Sequence, residues 1–232
     1  MADTEYDVIV VGGGNAAMCA ALSAREQGAR VVMLERAAED KRGGNSAYTG
    51  GGFRMVHHGA DDIKKVVPDL SADDIARTDF GEYTAEQYLD DLGRITQYYI
   101  DPDLAETIVR NSADTVQWMR GRGAKFVPNY GRQAFNVNGR FKFFGGVVLV
   151  ANGGGRGLME LLYKALDTHG IPVRYRAQAY ELVRSDRGIS GVRARIEGRD
   201  PKTTFKRAFL GTKGGKRNEV TTAYVDEPGL YE

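Results

Sequence analysis

Cysteine is all but absent from this 232-residue chain, with Cys19 standing alone. One cysteine excludes an internal disulfide and any cysteine-built metal cluster, and it fits a reducing, cytoplasmic setting. The Cys-x-x-Cys pair that a disulfide reductase needs is missing as well. Neither sign of charge is in excess, since 32 Lys+Arg face 31 Asp+Glu. Bulk charge therefore gives no reason to expect nucleic acid or an anionic membrane as partner. No apolar run is long and unbroken enough to read as a membrane span. The longest uncharged stretch, Val8–Ala24, is interrupted by Gly12, Gly13 and Gly14. Asp3, Glu5 and Asp7 precede it, where a signal peptide needs positive charge. No internal repeat and no metal-ligand cluster is visible.

What the chain does have is glycine, 30 residues of it, gathered in clusters. Hydrophobic residues at 42% and charged residues at 27% are ordinary for a globular protein. Glycine clusters in such a background point to ligand loops. The length suits one to two domains.

The coarse pattern is α/β. Residues 6–11 form a β-branched run suited to a buried parallel strand. Residues 15–27 read as a helix ended by Gly28, and 30–34 as a second strand, which together make a βαβ unit. Residues 36–59 look irregular, and 60–123 mostly helical. Asp101-Pro102 is a helix start, with Asp as N-cap and Pro in the first turn. A further helix is expected over 112–120. Asn138-Gly139 between two β-like runs marks a hairpin. A glycine turn and helix reopen at 152–169, followed by a strand at 171–176 and a hairpin over 179–184 and 189–197. The expected organisation is a βαβ and second glycine segment at 1–59, an inserted helical and β segment at 60–150, a return at 151–197, and an atypical tail at 198–232.

Three motifs carry chemistry. Gly12-x-Gly14-x-x-Ala17 lies between strand and helix, with Glu35 at the end of the next strand. Gly12 allows the tight turn, Gly14 lets a pyrophosphate approach the backbone, and Ala17 is small enough for the helix to lie on the strand. The helix N-terminus offers N–H groups and a partial positive charge to phosphate, and Glu35 can accept from a ribose. Glu rather than Arg at 35 disfavours a 2′-phosphate. The second motif is Arg42-Gly43-Gly44-Asn45-Ser46 with Gly50-Gly51-Gly52. It is read as extended and poor in side chains, able to approach a flat ligand. It tilts the cofactor from NAD toward FAD, against the alternative of a mobile surface loop. The third, Asn152-Gly153-Gly154-Gly155-Arg156-Gly157, is either a second phosphate cradle or a plain start to a helix.

Taken in order, these pieces resemble the flavoprotein family of fumarate reductase, succinate dehydrogenase and 3-ketosteroid dehydrogenase. Within it they look most like the FAD-dependent tricarballylate dehydrogenases. The Trp118-Met119-Arg120 turn with Gly123 and Phe126 supports that narrower match. The resemblance covers residues 5 to 197. It implies a Rossmann-like FAD-binding domain of the glutathione-reductase type with an inserted α+β substrate-cap segment. It implies that Gly12, Gly14, Asn15, Ala16 and Ala17 hold the FAD pyrophosphate and that Glu35 binds the ribose beside adenine. Asn45 and Ser46 would reach the pyrophosphate and ribityl region, Gly51 and Gly52 would lie against the isoalloxazine, and Ala179 would meet adenine through its backbone. Asn45 stands where membrane succinate dehydrogenases carry the histidine that attaches FAD, so non-covalent FAD is implied.

The implied reaction is oxidation of a small di- or tricarboxylate such as tricarballylate by hydride transfer to flavin N5. Electrons would leave to a separate acceptor protein. Residues 198–232 depart from the family, showing neither its next buried strand nor the glycine pair after it. Pro228-Gly229-Leu230-Tyr231 matches a closing segment over four residues only. Two readings follow: an active dehydrogenase, either with a complementing chain or as part of a longer gene, or a truncated FAD-binding module without turnover. No catalytic residue is assigned. Arg54 and Arg132 could meet a carboxylate. His57 and His58 read as solvated loop histidines, Cys19 as a small core residue, and Lys202–Arg217 as a solvated basic run.

Overall fold

The computed structural model describes residues 5–186, 188–196 and 203–207. In chain order the elements begin with β1 (Glu5–Tyr6), β2 (Val8–Val11), α1 (Asn15–Glu26), β3 (Val31–Leu34), β4 (Gly52–Phe53), α2 (Ala60–Val66), α3 (Ala72–Arg77) and β5 (Thr78–Asp79). There follow α4 (Ala85–Ile95), α5 (Pro102–Arg110), α6 (Ser112–Gly121), β6 (Phe126–Pro128), α7 (Tyr130–Gln133), β7 (Ala134–Val137), β8 (Arg140–Phe143) and β9 (Leu149–Ala151). The last are α8 (Gly154–Thr168), β10 (Val173–Arg174), β11 (Ala177–Ser185), β12 (Gly188–Ile196) and β13 (Thr203–Arg207). The chain divides into two units, Met1–Ala47 with Leu162–Glu232, and Tyr48–Leu161.

The first unit holds two sheets. One is parallel, in the order β10-β3-β2. Its central strand β3 is buried at every residue, which is why it reads as an unbroken Val-Val-Met-Leu run. The other sheet, β1-β13-β12-β11, contains the long β11–β12 antiparallel hairpin. Val32 and Leu34 pack with Ala177, Val192 and Ala194, joined by Tyr6, Ile9, Val11, Ala179 and Ile196, so the two sheets share one apolar core. Backbone bonds stitch them at the end of β3, where Glu35 N–H donates to Arg174 and Ala177 N–H donates to Glu35.

Within 198–232, the described residues 203–207 depart from the expectation of a tail without a strand. Thr203–Arg207 forms β13, antiparallel to β12 and parallel to β1, with Glu5 opposite Lys206 and Tyr6 opposite Arg207. A Thr-Thr-Phe-Lys-Arg strand lacks the apolar run by which a central strand is recognised, yet it pairs through its backbone. The sheet therefore continues past residue 197. Pro228–Tyr231 and all but Thr203–Arg207 of the basic run lie outside the described residues.

The second unit holds sheets β4-β9-β6 and β5-β8-β7 with helices α2 to α7. Its helix starts follow local rules. Asp101 caps α5, accepting from the N–H groups of Asp103 and Leu104 at 3.0 and 3.1 Å, with Pro102 in the first turn. Thr84 and Gln87 form a capping box on α4. The β7–β8 hairpin turns on Asn138 (φ 53°) and Gly139 (φ 84°), a turn with both central residues left-handed. No helix of the described residues is long and apolar enough to cross a membrane.

Candidate functional site

The site in the first unit is built on the β2–α1 turn. Gly12 adopts φ 108° and donates its N–H to Leu34 at 2.8 Å, which holds the turn at the tip of β3. Ala17 is buried, and a Cβ placed on Gly12 would lie 4.0 Å from its methyl. Helix α1 starts at Asn15 with no side-chain cap and no acidic residue in its first turn. Its N-terminus therefore keeps its partial positive charge. Ser46 sits over this turn. Its Oγ accepts from the N–H of Asn15 at 3.1 Å, and a Cβ on Gly14 would lie 3.3 Å from it.

Glu35 is buried at the tip of β3. One carboxylate oxygen accepts from Ala37 N–H at 2.6 Å, and the other lies beside Gly13. The middle glycine thus has its own reason, absent from the Gly12/Gly14 spacing argument. A Cβ on Gly13 would collide with the Tyr163 hydroxyl and the Glu35 carboxylate. Tyr163 donates to the Gly13 carbonyl at 2.9 Å, and burial pushes its hydroxyl well above the usual tyrosine range. The Arg42 guanidinium lies 4.1 Å over the Tyr163 ring and donates to the Tyr175 hydroxyl at 2.6 Å. Sequence reasoning missed this Tyr163–Arg42–Tyr175 brace. Its one signal is a tyrosine set among Leu158, Leu162 and Leu166 on an otherwise aliphatic helix face.

The structure brings Gly12, Gly14, Asn15, Ala17, Glu35 and Ser46 together. Ala16 and Asn45 are exposed. Ala179 is half-buried against the shared core. It lies at a bulge of β11, which among the described residues is the edge strand of its sheet. Cys19 is not a core residue: it is half-buried, with its thiol 3.7 Å from Asn15 Oδ1.

Gly51 and Gly52 belong to the second unit. The segment before them is not extended as expected: residues 39–41 and 44–48 form short 3₁₀ turns. Gly51 has φ 69°, and a Cβ on it would lie 2.8 Å from the carbonyl carbon of Gly154. Gly155 N–H donates to Thr49 at 3.0 Å and Ala151 N–H to Gly51 at 2.8 Å. The third glycine cluster therefore packs backbone-to-backbone on the second, and its Gly155 N–H is spent there.

His57 is a further correction. It is fully buried, with its backbone bridged to Tyr83 and its Nε2 accepting from Val147 N–H at 3.2 Å. Desolvation lowers its pKa to about 4. His58 is exposed as expected. Arg132, on the short α7, is exposed too.

An uncapped helix N-terminus behind a left-handed glycine is a donor set for a pyrophosphate, and a buried carboxylate at the neighbouring strand tip is an acceptor for ribose hydroxyls. Those residues fit a dinucleotide, and with the meander over the parallel sheet they define a dinucleotide-binding flavoprotein fold. The family described as FAD binding domain matches residues 7–228, and the chain belongs to that family. Its cofactor is FAD. Among known proteins, the chain is 28% identical over 187 residues to "Fumarate reductase (cytochrome)" of Shewanella frigidimarina, covering 80% of this chain and 29% of that protein. It is 50% identical over 52 residues to "3-oxosteroid 1-dehydrogenase" of Mycolicibacterium smegmatis, covering 22% of this chain and 9% of that one. The solved 3-ketosteroid-Δ4-(5α)-dehydrogenase of Rhodococcus jostii RHA1 superposes with a TM-score of 0.66 at 20% identity, over 88% of this chain and 44% of that one. The chain thus spans less than a third of the length of the fumarate reductase it matches.

Proposed function

We propose that this chain provides the FAD-binding part of an oxidoreductase acting on a small di- or tricarboxylate, tricarballylate being the preferred candidate. The observation that carries the cofactor half of the reading is the glycine-led start of α1, with Ser46 over it and Glu35 buried at the tip of β3. In this reading Gly12, Gly14, Asn15, Ala16 and Ala17 hold the pyrophosphate, Gly12 by turning the chain and the others at the start of α1. Glu35 accepts from the adenosine ribose, Ala179 offers its backbone to adenine, and Asn45 and Ser46 reach toward the ribityl chain. Gly51 and Gly52 give a side-chain-free surface for a flat ring. FAD, when bound, supplies an acceptor for a hydride from substrate carbon. Attachment is non-covalent, because Asn45 has no nucleophile to offer. Similarity to a fumarate reductase supports a carboxylate substrate and a redox partner, which in the dehydrogenase direction would be a separate electron-acceptor protein. The single cysteine supports a cytoplasmic setting.

The test starts with purified chain. It should retain FAD in preference to NAD and release the flavin into the supernatant on acid precipitation. Gly14→Val places a branched side chain where the pyrophosphate must approach, and flavin retention should fall at least about tenfold. Equal retention would remove the site. Anaerobic addition of tricarballylate or succinate should bleach the bound flavin where a 3-oxosteroid does not. Bleaching by the steroid alone would reverse the substrate assignment. No bleaching by any of the three would leave an FAD-binding module without turnover.

A further inference from the structure

Among the described residues, two buried side-chain atoms have no hydrogen-bond partner, Arg54 Nη1 and His57 Nδ1. Both belong to one cluster around Tyr83 in the second unit. The His57 ring centroid lies 6.5 Å from that of Tyr83, and the Arg54 guanidinium 5.5 Å from the same ring. Both atoms are donors. His57 Nε2 accepts from Val147 N–H, so its ring proton sits on Nδ1. A guanidinium nitrogen can only donate.

The Tyr83 hydroxyl lies close enough to the Arg54 side chain to interact with it, yet Arg54 Nη1 and His57 Nδ1 themselves have no partner. The Tyr83 hydroxyl donates to Asp91 Oδ2 at 2.8 Å, and Arg94 pairs with the other oxygen of Asp91. Arg54 Nη1 is 4.0 Å from Asp91 Oδ2, outside hydrogen-bond reach. Asp91 thus faces two guanidiniums, those of Arg94 and Arg54. The backbone beside these donors is kept bare. Gly145 and Gly146 are left-handed at φ 73° and 81°, and a Cβ on Gly146 would lie 2.5 Å from the Tyr83 ring. Arg54 also follows directly on Gly51-Gly52-Phe53, the segment read above as facing the flat ring.

We propose that Arg54 and His57 form a carboxylate-binding pair that selects anionic over neutral substrates. Arg54 supplies the charge and His57 a neutral N–H. A carboxylate carries enough acceptor sites to satisfy both nitrogens, whereas a neutral apolar ligand would leave both buried donors unpaired. The inference rests on the functional reading above for the identity of the ligand as substrate. The binding itself needs no flavin.

The probes are tricarballylate, succinate and succinamide, titrated calorimetrically into the full chain with and without FAD. Both acids should bind, and succinamide should bind at least about tenfold more weakly, as the loss of a charge-assisted bond requires. Arg54→Gln should weaken both acids about tenfold or more, while Arg54→Lys recovers part of that loss. The Arg54 variants should keep wild-type FAD content and circular dichroism, because Arg54 is half-exposed and holds no backbone group. His57→Gln, which can still accept from Val147 and donate, should stay within about threefold of wild type. Acid binding that is absent in wild type, unchanged in Arg54→Gln, or matched by succinamide would overturn the proposal. A chain that lost FAD yet kept Arg54-dependent acid binding would sink the functional reading and leave this one standing.

Discussion

Under the readings proposed above, the two units present donors to an anion by different means. In Met1–Ala47 with Leu162–Glu232, the donors are backbone N–H groups at a helix start, and the side chains around them are partnered. Ser46 takes the Asn15 N–H, Glu35 takes the Ala37 N–H, and Tyr163 and Arg42 brace the turn from behind. In Tyr48–Leu161 the donors are side chains, brought from positions 54 and 57 onto Tyr83 and Asp91, and two of them lack acceptors. A backbone-built site stays rigid when empty, since its groups are fixed by the fold. A side-chain-built site carries the cost of unpaired buried donors until a ligand arrives, and in return it can tell one ligand from another.

The largest effect that could break this comparison concerns glycine packing. Gly51→Ala puts a Cβ 2.8 Å from the backbone of Gly154 at φ 69°, and backbone cannot move aside as a side-chain tip can. We expect about 3 kcal/mol or more of destabilisation in urea unfolding. Gly28→Ala is the control in the other unit. Its φ is 84° with open space around it, so only the conformational cost of about 1–2 kcal/mol applies. Equal losses would mean that the Gly51 contact yields.

Next in size is the pH response of His57. Its folded-state pKa of about 4 lies below the ordinary 6.5 because burial disfavours the charged ring. On acidification the unfolded chain takes up the proton first. The contribution is therefore complete above pH 6.5 and is lost as pH falls toward 4. By linkage, wild type should lose about 2.5 kcal/mol from this group between pH 7.5 and 4.5. His57→Gln, which does not titrate, should lack that component when urea midpoints are compared at the two pH values. Parallel pH profiles for the two proteins would show that the ring is not held neutral.

The same contrast decides what could be read before the fold was known. The β2–α1–β3 unit, the Asp101 cap and the Asn138-Gly139 turn were legible because each depends on neighbours within a few residues. So was the tight turn at Gly12, since a glycine that a turn requires leaves its mark in the spacing. Gly13 was not, because its constraint comes from Tyr163, far along the chain. His57 was misread as solvated because nothing nearby in sequence announces its bridge to Tyr83 or its bond to Val147. β13 was missed because a strand recognised by apolar runs cannot be seen in Thr-Thr-Phe-Lys-Arg, although its backbone pairs on both sides.

A moderate effect tests whether local rules stabilise the second unit as they build it. Asp101 accepts from two first-turn N–H groups of α5. Asp101→Ala leaves both without that partner and should cost about 1 kcal/mol by thermal or urea unfolding, with Asp101→Asn near neutral. No loss in the alanine variant would mean that water satisfies the helix start as well as the cap does.

The smallest effect belongs to the first unit. Glu181 and Arg193 stand directly opposite each other on β11 and β12, and Arg193 Nη1 reaches both carboxylate oxygens at 2.8 and 2.7 Å. The distances suggest strength, but the geometry does not. A single nitrogen shared between two oxygens is not the two-pronged pairing that makes Arg–carboxylate bonds strong. Both side chains are nearly half exposed, at 45% and 48%, so water and salt screen the pair. A double-mutant cycle over Glu181→Gln and Arg193→Gln should return a coupling below about 0.5 kcal/mol, shrinking further in 0.5 M salt, where the screening length is about 4 Å. A coupling that matched or exceeded the loss in Asp101→Ala would place this exposed pair above a helix cap and reverse the order of the two units. A backbone-built unit would then depend on its surface charges more than a side-chain-built one depends on its caps.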